Sequence, residues 1–333
     1  MRKLLIIVHR WMGVVGGLLF VSWFISGIVF MYWTMPAFSD RERLSHLSPI
    51  DLSTARVGPM DAARHAGIKP TRLRIGTYYD GRPVYRFQNN SIVYADTGEM
   101  VAGRGVDQAM EFVRTLEPAH AATVRYGGLL EDIDLWTAGG PSNQIPLHKI
   151  ALGDPGDTYY YISQKTGEPV MKTDRESRFW GFLGPVLHQW YFTSLRRNND
   201  LWEKVVLWAS ILGSLMCLTG LIAGVWMYSM KRGSPYSGWV WWHHYAGLLF
   251  GFVTLTWIFS GGLAFNSYNI GSSTNPTPQQ RDAATGGPLH LDHVTLDDLR
   301  KSLAAIVPAF TPKEADVLQF RGDLYLFAAD GSP

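Results

Sequence analysis

Three runs of this chain hold no Asp, Glu, Lys or Arg: Trp11 to Trp33, Val205 to Met230 and Trp239 to Phe265. Each is long enough to cross a hydrocarbon core of ~30 Å at ~1.5 Å per residue. The predicted fold class is therefore a membrane protein with an α-helical transmembrane bundle. Composition alone conceals this, since 47% hydrophobic content and a net charge of +2 suit a soluble protein. The charges are confined to the remaining chain, which makes sizeable extramembrane parts.

The first and third runs are copies. Laying His9 on His243 puts Gly13 on Gly247, Gly17 on Gly251, Trp23 on Trp257, and Ser26-Gly27 on Ser260-Gly261. In each copy the histidine and glycines fall at i, i+4 and i+8, so the imidazole looks down a glycine-paved strip of its own helix. The Ser-Gly pair lies ~26 Å further along. If the two helices run the same way, both histidines sit at one depth, the geometry of two axial ligands on a single haem iron. Helix packing alone also explains glycines at this spacing. The candidate cofactor-binding residues are His9, Gly13, Gly17, His243, Gly247 and Gly251, with His9 and His243 as metal ligands. His244 competes for the inner position, but the His-x-x-x-Gly register favours His243.

The apolar run after Arg2 and Lys3 is too long for a signal peptide and lacks a small-residue cleavage site, so it reads as an uncleaved anchor. Arg2, Lys3 and Arg10, with Lys231 and Arg232 between the later spans, place the N-terminus, His9 and His243 on the cytoplasmic side. The expected organisation is a span over 1–35, an outer region over 36–177, an interfacial segment over 178–200, and a span over 201–230. A cytoplasmic loop over 231–238, a third span over 239–266, a linker over 267–290 and an outer module over 291–333 complete it. Trp202, Trp208, Trp226, Trp239, Trp241 and Trp242 stand near span ends as an aromatic belt.

The outer region alternates helical and strand-like patterns with turn signals. Helices over 59–67 and 105–116 each precede strand candidates, and Thr97-Gly98-Glu99-x-Val recurs as Thr166-Gly167-Glu168-x-Val. This reads as two small α+β modules, each a helix on an antiparallel sheet. A third follows the Ser-, Thr-, Asn- and Pro-rich linker. It has a helix over 296–306 capped by Thr295 and a strand pair about Gly322-Asp323, and it stops at a turn, Asp330-Gly331, with no strand after it.

Two further histidines stand out. His148, with Glu131, Asp132 and Asp134, is either part of an outward-facing metal site or a plain strand histidine beside a solvated acidic face. His188 lies in Phe179 to Leu195, an uncharged stretch at the short limit for a span, whose Pro185, Gln189 and six aromatics suit an interfacial helix. At the outer face it is either a second cofactor and metal ligand or an interfacial side chain. The single cysteine, Cys217, lies within a span; with no C-x-x-C or C-x-x-C-H, zinc ribbons, iron-sulfur clusters and covalent haem are excluded.

His9-Arg10-Trp11-x-Gly13, the paired Thr-Gly-Glu modules, HQWYFTSLRR from His188 to Arg197 and WHHYAGLLFG from Trp242 to Gly251 together resemble the PepSY-associated transmembrane proteins. That family includes haem-containing inner-membrane reductases of iron-siderophore complexes. The resemblance covers nearly the whole chain. It implies periplasmic PepSY-like modules, a bacterial inner-membrane location, and a fourth span after the third module.

Two functions follow. In the first, non-covalent haem b held by His9 and His243 passes electrons from quinol or a redox protein to a ferric chelate or a periplasmic protein; a second haem would involve His188. In the second, the modules recognise or regulate a periplasmic protease or peptide and the helices tether them, which leaves the matched His and Gly strips unexplained. The chain has no G-x-G-x-x-G or phosphate loop of its own, no mid-span acids for a metal transporter, and no basic stripe for nucleic acid.

Overall fold

The apolar runs become three long helices, and the rest of the chain forms two antiparallel sheets with short helices against them. The structure, a computed structural model, describes residues 2–264, 276–307 and 309–332. In chain order its main elements are α1 (Arg2–Phe30), α2 (Asp40–Ser45), α3 (Pro59–His65), β1 (Leu73–Thr77), β2 (Pro83–Phe87), β3 (Ile92–Tyr94) and α4 (Val106–Leu116). Next come β4 (Arg125–Leu130), β5 (Leu147–Ala151), β6 (Tyr159–Ser163), β7 (Pro169–Thr173), α5 (Arg175–Gly181), α6 (Asn199–Met227) and α7 (Gly238–Ala264). The chain continues with α8 (Pro278–Thr285), α9 (Leu296–Ile306), β8 (Glu314–Phe320) and β9 (Asp323–Ala329). It divides into two compact units, one of residues 1–35, 133–139 and 177–274, the other of 36–132, 140–176 and 275–333.

In the first unit α1, α6 and α7 are long and apolar enough to cross a membrane. Their outer faces suit lipid rather than water: Val15 and Leu18 are 83% exposed, and Leu249, Phe252 and Trp257 are largely exposed too. α6 runs antiparallel to α1, because its late residues Met216 and Thr219 meet His9 near the start of α1. α7 returns parallel to α1, since His243 in its first turns faces His9. The loop between α6 and α7 is tied by Tyr245 and His244 to Ser234. Arg2 donates to the Trp226 carbonyl in the last turn of α6, where a cation meets the negative helix end.

The segment expected at the interface is a helical hairpin docked on α1. α5 passes through a π turn (Phe182–Val186) into a last turn, Leu187–Gln189. The run from Arg175 is ~22 Å long at ~1.5 Å per residue, too short to span. Gly184 lies against the backbone of Phe30. Trp190 then reverses the chain in the left-handed region (φ 54°), at a cost of ~1–2 kcal/mol for a residue with a Cβ. Its ring stacks on Trp23 at 5.6 Å, and Trp202 Nε1 donates to the Gln189 carbonyl over 2.8 Å. Residues 133–139 join this unit: Arg196 donates to the Ala138 carbonyl, and a Cβ at Gly139 would sit 2.5 Å from Tyr191.

The second unit departs from the three-module expectation. The C-terminal strand pair builds no sheet of its own; it completes the first one, in the order β3-β2-β1-β8-β9. The second sheet has four strands, β4-β5-β6-β7. The first core gathers Leu73, Ile75, Tyr85 and Val93 with α3's Ala62 and Ala63 and α9's Leu299 and Leu303. Charges fix the long-range pairing: Arg74 stands opposite Asp316 and grips it with two bonds of 2.8 and 3.0 Å. Buried Glu314 takes Arg74 on one side at 2.9 Å and Arg43 on the other. Part of the expected linker is also ordered: residues 265–275 lie outside the described residues, but α8 starts from a Thr277–Gln280 capping box and docks at the β8–β9 turn.

Replacing Glu314 by Ala leaves two arginines without their shared carboxylate. This lowers the stability of the second unit by about 3 kcal/mol, seen as faster limited proteolysis within residues 36–132 while the helical unit stays resistant.

Candidate functional site

α1 and α7 bring His9 and His243 close together, with ring centroids 6.1 Å apart and planes inclined by 32°. Metal–imidazole bonds of ~2 Å put the centroids of two rings ligating one ion in line at about 6 Å. His9 is fixed from behind. Its Nδ1 lies 3.1 Å from the Met216 carbonyl, which can only accept, so the proton is on Nδ1 and the Nε2 lone pair is left for a ligand. The Thr219 hydroxyl lies 3.5 Å from the same nitrogen.

The approach requires a missing side chain. A Cβ on Gly220 would stand 2.6 Å from His9 Cε1, so any other residue there drives the ring off α6. His188 is seated the same way at the other end of α1. Its Nδ1 donates to the Trp23 carbonyl at 3.1 Å, the Ser26 hydroxyl is 3.5 Å away, and a Cβ on Gly27 would meet its Cε1 at 3.0 Å. Trp23 Nε1 donates back to the His188 carbonyl, and Phe30 flanks the ring. In both seats the accepting carbonyl is four residues before the glycine and the hydroxyl is one before it.

Two of the Ser/Thr-Gly pairs, Thr219-Gly220 and Ser26-Gly27, are thus imidazole seats. The signal was in the sequence: Trp23-x-x-Ser26-Gly27, Met216-x-x-Thr219-Gly220 and Trp257-x-x-Ser260-Gly261 share one spacing. In all three the hydroxyl donates to the carbonyl three residues back. At the third, a Cβ on Gly261 would meet nothing within 4 Å.

The glycine strips divide. A Cβ at Gly13, Gly17 or Gly247 would meet no atom within 4 Å, which leaves open space at these positions on α1 and α7. Gly251 is closed, because its Cβ would lie 2.8 Å from Leu221. His244 is buried with both nitrogens taken: Nε2 donates to the Gly224 carbonyl at 2.8 Å and Nδ1 accepts from Ser234 at 2.7 Å. It is a structural residue holding the α6–α7 turn.

His148 resolves as a strand histidine. It is fully buried on β5, its Nε2 donates to the Arg104 carbonyl and its Nδ1 faces the Tyr126 hydroxyl. Asp134 caps a turn, accepting from Trp136 N–H and from Thr137 N–H and hydroxyl. Among the described residues no group of three or more His, Cys, Asp or Glu is placed to hold a metal ion. No protein-family model matches this chain, and no curated protein or solved structure is significantly similar to it.

Substituting Gly27 by Val pushes His188 off α1 and loosens the hairpin behind it. Tryptic cleavage at Arg196-Arg197 in detergent then speeds up several-fold, whereas Gly261→Val, at the open seat, leaves the rate unchanged.

Proposed function

We propose that this chain is an integral membrane haem b protein that carries electrons across a bacterial inner membrane, a member of the PepSY-associated transmembrane proteins. The observation that carries the reading is the His9–His243 pair, two imidazoles at ligating separation on parallel apolar helices. The residues fit the group: one ring's tautomer is set by a backbone carbonyl, and three of the four strip glycines leave room for a flat macrocycle. When bound, a haem held by His9 and His243 would supply a one-electron couple.

The protein's own part is positional. Met216 and Gly220 hold His9, the apolar faces of the helices keep water out, and Arg2 secures the adjoining end of α6. Arg2, Lys3, Arg10, Lys231 and Arg232 lie at the histidine end of the helices, which by the positive-inside rule is the cytoplasmic end. Electrons then enter from quinol or a redox protein, and the periplasmic acceptor is a ferric chelate, an iron-siderophore complex, or a protein. The two sheets form the periplasmic PepSY-like part.

The test is the absorption spectrum of the detergent-purified protein before and after dithionite. The proposal expects a Soret band with visible bands that sharpen on reduction. These are lost in His9→Ala and in His243→Ala but kept in His244→Ala. Gly220→Val, which unseats His9, weakens haem affinity by roughly 10–100-fold. A colourless wild type, or a spectrum indifferent to both ligand substitutions, contradicts it and leaves a tethered binding module.

A further inference from the structure

Within the second unit a cavity of about 390 Å³ opens where the segments flanking β3 face the β6–β7 turn. That is within the size range of small-molecule sites. Its polar lining comes from Ser91, Asn143, Gln144, Lys165 and Thr166, and its apolar lining from Ile92, Met100 and Val101. Lys165 is a cation in this wall, and no carboxylate lines it. Glu168, three residues on, is taken by Arg86 at 2.8 Å. The Gln144 side-chain oxygen is buried with no hydrogen-bond partner among the described residues, so it is short of a donor.

The backbone adds a second recognition element. Val93 and Met100 form an isolated antiparallel bridge, through Tyr94 N–H to the Glu99 carbonyl and Val101 N–H to the Ile92 carbonyl. In that arrangement the bonded groups belong to the neighbours, so Met100's own N–H and C=O point away from β3. Met100 therefore offers a donor and acceptor at amide spacing, like the edge of a strand. Its side chain is 52% exposed.

We infer that this cavity binds an amide-linked carboxylate, the group shared by a free N-acyl amino acid and the carboxyl end of a peptide. Lys165 pairs with the carboxylate, Met100's backbone with the amide, and Ile92 and Val101 cover a small apolar side chain. Nothing in this assignment depends on haem, so its test stands apart from the absorption spectrum.

The experiment is calorimetric titration of the purified full chain with N-acetylalanine, with its carboxamide, and with acetylated tetra-alanine bearing a free carboxyl. Binding of N-acetylalanine is expected, weakened about tenfold by the carboxamide and by Lys165→Met. Asn143→Leu, at a second exposed wall position, weakens it as well. Tighter binding of the tetrapeptide identifies a chain end as the natural source, and equal binding identifies a free small molecule. No heat with any probe, or affinity unchanged by both the carboxamide and Lys165→Met, overturns the assignment.

Discussion

The helical unit depends on an imidazole reaching the backbone of a neighbouring helix. An apolar bundle offers a histidine few partners, and a buried polar nitrogen left unpaired costs about 1–3 kcal/mol. A helix backbone has carbonyls to share, but side chains cover them. Glycine at the right place uncovers one. Gly220 exposes the Met216 carbonyl to His9, and Gly27 exposes the Trp23 carbonyl to His188. One solution used twice fixes the position of α1 against α6 at one end and of the helical run ending at Gln189 against α1 at the other.

α1 is therefore both guest and host. Its early histidine leans on α6, and its late Ser-Gly step receives the hairpin that leads into α6. The consequence for chemistry lies at the His9 end. With Nδ1 committed to a carbonyl, the ring cannot swing freely, and His243 stands with its ring centroid 6.1 Å away. The neighbouring His244 shows the contrast: both its nitrogens are consumed by the α6–α7 turn.

The parts legible in the sequence were those with local signatures. Charge-free runs gave three helices, the internal repeat paired His9 with His243, and capped segments such as Thr295 to Ile306 appeared where expected. The joining of the C-terminal hairpin to β1 was not legible, because a pairing such as Leu73 with Val317 leaves no local mark. β4 escaped notice because Gly127 and Gly128 interrupt it, and the end of the linker because the Thr277-Pro278 cap was read as loop composition. The imidazole seats were hidden for a different reason. Their acceptors are backbone carbonyls, which a sequence never displays, and only the common Ser/Thr-Gly spacing betrays them.

The most direct measurement of the central claim is the low-temperature electron paramagnetic resonance spectrum of the oxidised, purified protein. Two imidazoles on one iron predict a low-spin ferric signal in the wild type that turns high-spin, or vanishes with the iron, when His243 is replaced by Ala. A wild type without a haem signal, or a low-spin signal intact after both His9 and His243 are replaced, would contradict the account.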